Sequence, residues 1–176
     1  MKNNQLIPGE PLREGVDLIA DKKTGALIVV GSSAKLDKIS SGGINLFNCK
    51  FTPEMLCELA KMDGAIIVDQ NVDTILKANV HLNPSDLIET SQTGTRHRTA
   101  QRVSVETELD VIAVSDESGI IKVFSNNEVN ELEESSMILG RVNESLQSID
   151  RTRRRFDDAV IAVSYTHLRA HETQDD

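Results

Sequence analysis

A cationic segment lies at residues 90–105, which hold no acidic side chain although the chain as a whole is acidic. The basic side chains of this segment are Arg96, His97, Arg98 and Arg102. Gly94 lets the backbone approach a phosphate closely, and Thr95 offers a hydroxyl. Because the amino end of a helix presents outward N–H groups and a partial positive charge, a helix beginning here would hold a small polyanion. An ordinary helix with solvated arginines fits the spacing equally well.

A second candidate is Asp63, which Gly64 and Ala65 follow before an apolar run. A carboxylate on a tight turn before a buried strand lies at a sheet edge, where α/β proteins often place their sites. The small neighbours leave space for a ligand. Such an aspartate could bind Mg²⁺ or Mn²⁺, or polarise a hydroxyl for attack on phosphorus. A turn or helix-cap residue is the simpler explanation of a single Asp-Gly, so neither motif alone defines the function.

Alternating helix and strand signals surround both motifs. Apolar periodicity and helix-start residues predict helices at residues 11–23, 52–62 and 95–107, the last of them capped by Thr95. Apolar runs predict strands at residues 26–30, 65–68, 74–81, 111–114 and 120–124. We expect a turn at Gly42 and Gly43 and a polar loop at residues 82–95. Several strands with intervening helices indicate an α/β domain.

The sequence changes in character near residue 133. Its apolar residues then fall at helical spacing and predict a long amphipathic helix, which either packs on the domain or begins a spacer; they are Ile138, Val142, Leu146, Ile149, Phe156 and Val160. The opposite face carries both signs of charge, which argues against membrane binding. Residues 164–176 do not continue the stripe and are interpreted as a disordered or foreign tail. The predicted divisions of the chain are therefore 1–132, 133–163 and 164–176.

The composition excludes several classes of protein. The 176 residues carry 28 acidic and 19 basic side chains, and the net charge of −9 discourages binding to nucleic acid or anionic membranes. No apolar run approaches the ~20 residues that span a bilayer, and the start of the chain lacks a secretion signal. Two cysteines, Cys49 and Cys57, cannot form a disulfide framework. Because aromatic residues make up only 3%, the core must consist of Val, Ile, Leu and Ala. The composition as a whole predicts a cytoplasmic protein.

Five short motifs together resemble one known family. They are TGALIVVG at residues 24–31, SGG at 41–43, KMDGA at 61–65, ANVHL at 78–82 and TGTRHRTA at 93–100. In order and spacing they resemble the diadenylate cyclase domain of bacterial DisA proteins, over residues 8–150. The DGA and RHR signatures, about 30 residues apart, are far more specific than a short glycine motif.

The resemblance implies a fold and a reaction. Domains of this family have a twisted mixed β-sheet flanked by helices, followed here by the start of a long helix. They convert two ATP molecules into cyclic di-AMP and two pyrophosphates, with Mg²⁺ or Mn²⁺ as cofactor. Two domains meet face to face, and each 3′-hydroxyl then lies in line with the α-phosphate of the other ATP. The implied protein is a homo-oligomer, either this dimer or an octamer.

The resemblance also assigns roles to residues by position. Asp63 matches the catalytic aspartate, which assists the 3′-hydroxyl and helps to hold the metal. Arg96, His97 and Arg98 match a catalytic triplet that contacts phosphates, and His97 is the second predicted metal ligand. The residues expected to bind the nucleotide are Gly64, Ala65, Leu82, Gly94, Thr95, Thr99 and Ser115.

Three positions depart from the family pattern. Asp116 and Glu117 follow Ser115 where several relatives carry basic residues that meet the triphosphate, and Gln92 stands where an acid is expected. Full-length DisA proteins continue into a helix-hairpin-helix DNA-binding domain, before which this chain stops, so we do not infer DNA scanning for it.

Three hypotheses follow. The leading one is a metal-dependent diadenylate cyclase that acts as a homo-oligomer. The alternative is a catalytically weak or inactive module that binds ATP or a cyclic dinucleotide, which the acids after Ser115 favour. Contact with DNA through the four arginines at residues 151–155 is the weakest, because the net charge opposes it and a solvated helix face explains them.

Overall fold

Seven strands pair into a mixed sheet in the part of the chain that the structure describes. A computed structural model describes the backbone of residues 5–172 and the side chains of residues 5–165. In chain order the strands are β1 (Ala26–Val30), β2 (Ser40–Lys50), β3 (Ala65–Val68), β4 (Thr74–Leu82), β5 (Asp110–Val114), β6 (Ile121–Ser125) and β7 (Glu128–Leu132). Their order across the sheet is β2-β4-β3-β1-β5-β6-β7. The pair β1–β3 is parallel and the other pairs are antiparallel, which confirms the mixed sheet.

Local sequence signals fix where the helices begin. The helices are α1 (Pro11–Lys22), α2 (Ala34–Ile39), α3 (Pro53–Leu59), α4 (Thr95–Thr107) and α5 (Ser135–Glu172). Proline occupies the first helical position of α1 and α3, where the missing N–H costs nothing. The Thr52 side chain accepts the Met55 N–H at the start of α3, as the sequence predicts. Helix α2, which sequence reasoning missed, has Ser33 as the equivalent cap.

The sheet separates two apolar cores, because successive side chains of a strand point to opposite faces. On β1, Ile28 and Val30 belong to the core that α1 and α3 cover, whereas Leu27 and Val29 belong to the core that α2 and α4 cover. The buried apolar side chains are mainly Val, Ile, Leu and Ala, as the low aromatic content requires. Each large one contributes roughly 1.5–3 kcal/mol by leaving water. This three-layer packing holds the ends of the central strands in fixed positions.

The predicted turn at Gly42 and Gly43 is wrong, because both residues lie inside β2. Most side chains of this edge strand are exposed, so no apolar alternation marks it in the sequence. Pairing with β4 sustains it instead. Both glycines have positive φ, and a Cβ at Gly43 would lie 2.8 Å from the Cγ2 atom of Val80. The two strands can therefore approach each other only because Gly43 has no side chain.

The chain divides into two units between Glu134 and Ser135, where α5 begins. Two arginines of the 151–155 cluster pair with acids on their own helix, since Arg154 lies 2.7 Å from Asp150 and Arg153 lies 3.9 Å from Asp157. The backbone of residues 164–172 continues α5, while residues 173–176 lie outside the described part, so a separate tail stays a prediction. No described helix combines the length and the apolar character needed to cross a bilayer.

Candidate active site

Five strands begin or end at the same end of the sheet, and their termini surround a cavity. β1 and β3 begin there, and the antiparallel strands β4 and β5 end there. β6 also begins there, because it runs antiparallel to β5. The cavity has a volume of about 880 Å³, which is in the range of small-molecule sites. It lies at the amino ends of the parallel pair, whereas open α/β sheets more often bind ligands at the carboxyl ends.

Asp63 lines this cavity from the turn that joins α3 to β3. The backbone N–H of Gly64 donates to Oδ1 of Asp63 over 3.0 Å and orients the carboxylate. Gly64 has a φ of +105°, and a Cβ there would lie 2.9 Å from the carbonyl carbon of Asn79 and 3.0 Å from the backbone nitrogen of Val80. Only glycine fits this position, so the Gly64 backbone packs closely against β4 and fixes where Asp63 stands.

The first turn of α4 lines the same cavity with Thr95, Arg96 and His97. The prediction that Thr95 caps the helix is wrong by one residue, because Gly94 is the cap, with a φ of +83°, and Thr95 is the first helical residue. Glycine has no side chain with which to bond the first N–H groups, and the first turn of α4 contains no acid. Those N–H groups are therefore available to an anion, as the charge pattern of residues 90–105 predicts.

The structure brings the predicted site residues together, with one exception. The ones that line the cavity are Asp63, Gly64, Ala65, Leu82, Gly94, Thr95, Arg96, His97, Thr99 and Ser115. Arg98 is exposed and does not line it. Residues two apart on a helix point to nearly opposite sides, so Arg96 and Arg98 do not face the same cavity. The role of Arg98 in contacting phosphate stays a prediction.

His97 is half-buried, and its ring packs edge-on against Phe124 with 6.5 Å between the ring centroids. Its Nε2 atom is buried without a hydrogen-bond partner. Burial lowers the pKa of His97, and the charges of Lys122 and Arg96 lower it further, while Asp116 acts in the opposite direction. The lowered pKa favours the neutral ring, in which one nitrogen keeps a lone pair.

We expect the burial of His97 to make the folded state less stable in mild acid. The unfolded chain takes up a proton on this histidine near its ordinary pKa of about 6.5, whereas the folded chain resists it. The free energy of unfolding should therefore fall as the pH drops below that value. In His97→Asn this part of the loss should vanish, as urea unfolding between pH 7.5 and 5 would reveal. His81→Asn, which removes an exposed histidine from the same cavity, is the matched control, and an equal change in both variants would contradict the assignment.

Sequence reasoning missed Lys122, which lines the cavity from β6. Its Nζ atom donates to Oε1 of Gln92 over 3.1 Å, so the amide at the position expected to be acidic still holds a cation. The available signal was a lysine between two buried apolar residues, Ile121 and Val123, which places it on the other face of the sheet.

The remaining cation of the 90–105 segment has a structural partner outside the cavity. Arg102 donates from Nη1 to Oδ1 of Asp86 over 2.6 Å and from Nε to the carbonyl oxygen of Ile88 over 3.0 Å. It therefore fastens the loop before α4 to the helix. Of the four basic residues in that segment, Arg96 and His97 are the two that line the cavity.

The two predicted metal ligands, Asp63 and His97, line the same cavity. Within the described residues, no group of three or more His, Cys, Asp or Glu side chains could hold a metal ion. The Asp63 carboxylate is the kind of oxygen donor that Mg²⁺ and Mn²⁺ prefer, whereas an imidazole nitrogen matches either ion less well. A metal ion held by Asp63 and His97 therefore stays a prediction.

Fold and site together define an α/β domain with a cavity suited to a small polyanion at one end of a mixed sheet. The family described as DisA bacterial checkpoint controller nucleotide-binding, abbreviated DAC, matches residues 13–129. The chain belongs to this family. All residues that line the cavity fall within the matched range, so the resemblance drawn from the DGA and RHR motifs is confirmed.

Relatives and solved structures agree with this assignment. The DNA integrity scanning protein DisA of Kineococcus radiotolerans is 46% identical over 90% of this chain, and that of Clostridioides difficile is 42% identical over 96%. The chain covers 44% and 46% of these two proteins, less than half of their length. The crystal structure of DacA from Staphylococcus aureus, a double mutant, is 27% identical with a TM-score of 0.57. It aligns over 74% of this chain and 89% of its own.

Proposed function

We propose that this chain is a diadenylate cyclase domain, which condenses two ATP molecules into cyclic di-AMP and two pyrophosphates. One observation carries the proposal: Asp63 and the Arg96–His97 pair line a single cavity in a member of the DAC family. The Asp63 carboxylate can accept the proton of a hydroxyl group, and the cationic amino end of α4 can bind phosphates. Nucleotidyl transfer needs both.

Groups that line the cavity have a role in each part of the proposed reaction. The 3′-oxygen of one ATP attacks the α-phosphorus of the other, and the bond from that phosphorus to the pyrophosphate breaks. Asp63 takes the proton of the 3′-hydroxyl. Arg96 and the first N–H groups of α4 offset the negative charge that moves onto the phosphate oxygens. A second transfer with the two nucleotides exchanged closes the ring and releases the second pyrophosphate.

Two copies of the chain are needed in this proposal, because each supplies one Asp63 and one Arg96 for one bound ATP. An isologous pair presents the same cavity from both sides and places the two nucleotides facing each other. Holding them in line converts a bimolecular reaction into a nearly unimolecular one, which supplies much of the rate. The turnover per chain should therefore fall on dilution below the dissociation constant of the pair.

We propose Mg²⁺ or Mn²⁺ as the cofactor, held by Asp63 and His97 together with the phosphates. Such an ion, when bound, lowers the charge on the phosphate oxygens and makes the phosphorus a better electrophile. The two side chains contribute one hard oxygen donor and one nitrogen donor.

The test is to incubate the purified chain with ATP and either metal and to separate the products by chromatography. We expect cyclic di-AMP and two pyrophosphates per product, with a turnover per chain that rises with chain concentration. Absence of the product with both metals across a thousandfold range of chain concentration would refute the proposal.

A binding module without turnover is the second candidate. The observation that favours it is the ion pair between Arg96 and Asp116, because the carboxylate then occupies the cation in the first turn of α4. This candidate predicts that ATP or cyclic di-AMP binds in calorimetry while no pyrophosphate is released. The same incubation, followed by a pyrophosphate assay, separates the two candidates.

A further inference from the structure

We infer that Asp116 is an internal competitor for the phosphates of the nucleotide, because it holds the Arg96 guanidinium until a triphosphate displaces it. The inference rests on the proposed function and adds to it the residue that sets nucleotide affinity. It makes Asp116 a positioning residue, which acts through Arg96 and not on the reacting atoms.

The first observation is the ion pair between Arg96 and Asp116 in the wall of the cavity. The Nη1 atom of Arg96 lies 3.3 Å from Oδ1 of Asp116, and both residues line the cavity. Gly25, which also lines it, makes room for the pair. A Cβ at Gly25 would lie 2.8 Å from Nη1 of Arg96 and 3.0 Å from Cβ of Asp116. A side chain at Gly25 would therefore crowd the ion pair in the position that it occupies here.

The second observation is the balance of charge among the side chains that line the cavity. Its lining includes three cations, Lys61, Arg96 and Lys122, and three acids, Asp63, Asp116 and Glu117. With neutral histidines, three positive and three negative charges cancel, although the proposed substrate is a polyanion. Of the acids, Asp116 is the one paired with a cation of the cavity wall. Neutralising it should therefore improve phosphate binding more than neutralising another acid of the lining.

The strength of the pair determines the size of the effect. The Arg96 and Asp116 side chains are 31% and 56% exposed, and exposed ion pairs are weak. The pKa of Asp116 lies below its ordinary value, first because a backbone N–H donates to the carboxylate and then because Arg96 is near, so the competitor is charged at neutral pH. A triphosphate offers several oxygens to the guanidinium fork and wins the competition. The pair thus weakens nucleotide binding without preventing it.

The experiment compares Asp116→Asn with the unaltered chain by calorimetry in EDTA, where no divalent cation supports turnover. The probes are ATP, ADP, AMP and adenosine. We expect Asp116→Asn to bind ATP about three- to tenfold more tightly, with a smaller gain for ADP and AMP. Adenosine, which has no phosphate, should bind both proteins equally. A residue that merely supported the fold would change all four affinities alike.

A double-mutant cycle decides whether the effect passes through Arg96. In an Arg96→Ala background, Asp116→Asn should change the ATP affinity by less than about twofold, because no guanidinium remains to be released. Glu117→Gln is the matched control, since it removes one negative charge from the same lining and leaves the pair intact.

Three results would contradict the role assigned to Asp116. An equal gain from Glu117→Gln, a gain that persists without Arg96, or weaker ATP binding by Asp116→Asn would overturn the inference. If neither the unaltered chain nor Asp116→Asn bound ATP in EDTA, the inference would fail, and the product assay with Mg²⁺ or Mn²⁺ would decide the proposed function separately. If both bound ATP equally, the inference alone would fail.

Discussion

Asp63→Asn should lower the rate of cyclic di-AMP formation by about a hundredfold or more, which is the usual contribution of a general base. The amide is isosteric with the carboxylate, and its oxygen can still accept the Gly64 N–H that now donates to Oδ1 over 3.0 Å. It cannot take the proton of a 3′-hydroxyl, and it contributes no charge to a metal ion. The variant should therefore fold normally and bind ATP, yet fail in the chemical step.

Product chromatography under saturating ATP measures this effect as a loss of kcat. Thermal unfolding should give a midpoint close to that of the unaltered chain, because Asp63 is exposed and its turn is preserved. Asp73→Asn is the matched control, since this exposed aspartate lies outside the cavity lining and should keep full activity. If Asp63→Asn turned over ATP at the unaltered rate, the proton acceptor would have to be another group.

The sequence predicts the central strands and misses the edges of the sheet, for a physical reason. β1 is predicted at its observed bounds, because a strand buried on both faces is a continuous apolar run between Gly25 and Gly31. The edge strands β2 and β7 have mostly exposed side chains, and pairing with β4 and β6 holds them in place. An edge strand carries little periodicity from which it could be predicted.

The sequence predicts those residues of the site that belong to short local motifs. Asp63 and Arg96 belong to short signatures, and the structure places both on one cavity. The pairing of Arg96 with Asp116 was not predictable, because it depends on how α4 packs against the sheet. For Lys122 the sequence signals only the face of β6 that it occupies, and its place in the cavity depends on how β5 and β6 pair. The opposite orientation of Arg98 follows from helical geometry alone, once the beginning of α4 is fixed.

Gly64→Ala should combine a large loss of activity with a loss of stability. The added Cβ would lie 2.9 Å from the carbonyl carbon of Asn79 and 3.0 Å from the backbone oxygen of Val80, and backbone atoms of a paired strand cannot move aside cheaply. The φ of +105° adds strain for any residue with a side chain. Together these effects should cost about 2–4 kcal/mol of unfolding free energy. Relief of the clash must shift the turn, and Asp63 moves with it.

A shift of about 1 Å at a positioned catalytic group typically lowers the rate by about a hundredfold, so cyclic di-AMP formation should fall at least that far even where the variant is fully folded. Chemical denaturation measures the stability, and product formation well below the unfolding midpoint measures the activity. Gly42→Ala is the control: its φ of +64° also lies in the left-handed region, with milder strain than the +105° of Gly64, but its Cβ would meet nothing within 4 Å, and Gly42 lies outside the cavity lining. It should lose about 1 kcal/mol and keep its activity. Equal effects of the two substitutions would show that backbone strain alone governs Gly64, and that close packing against β4 does not position Asp63.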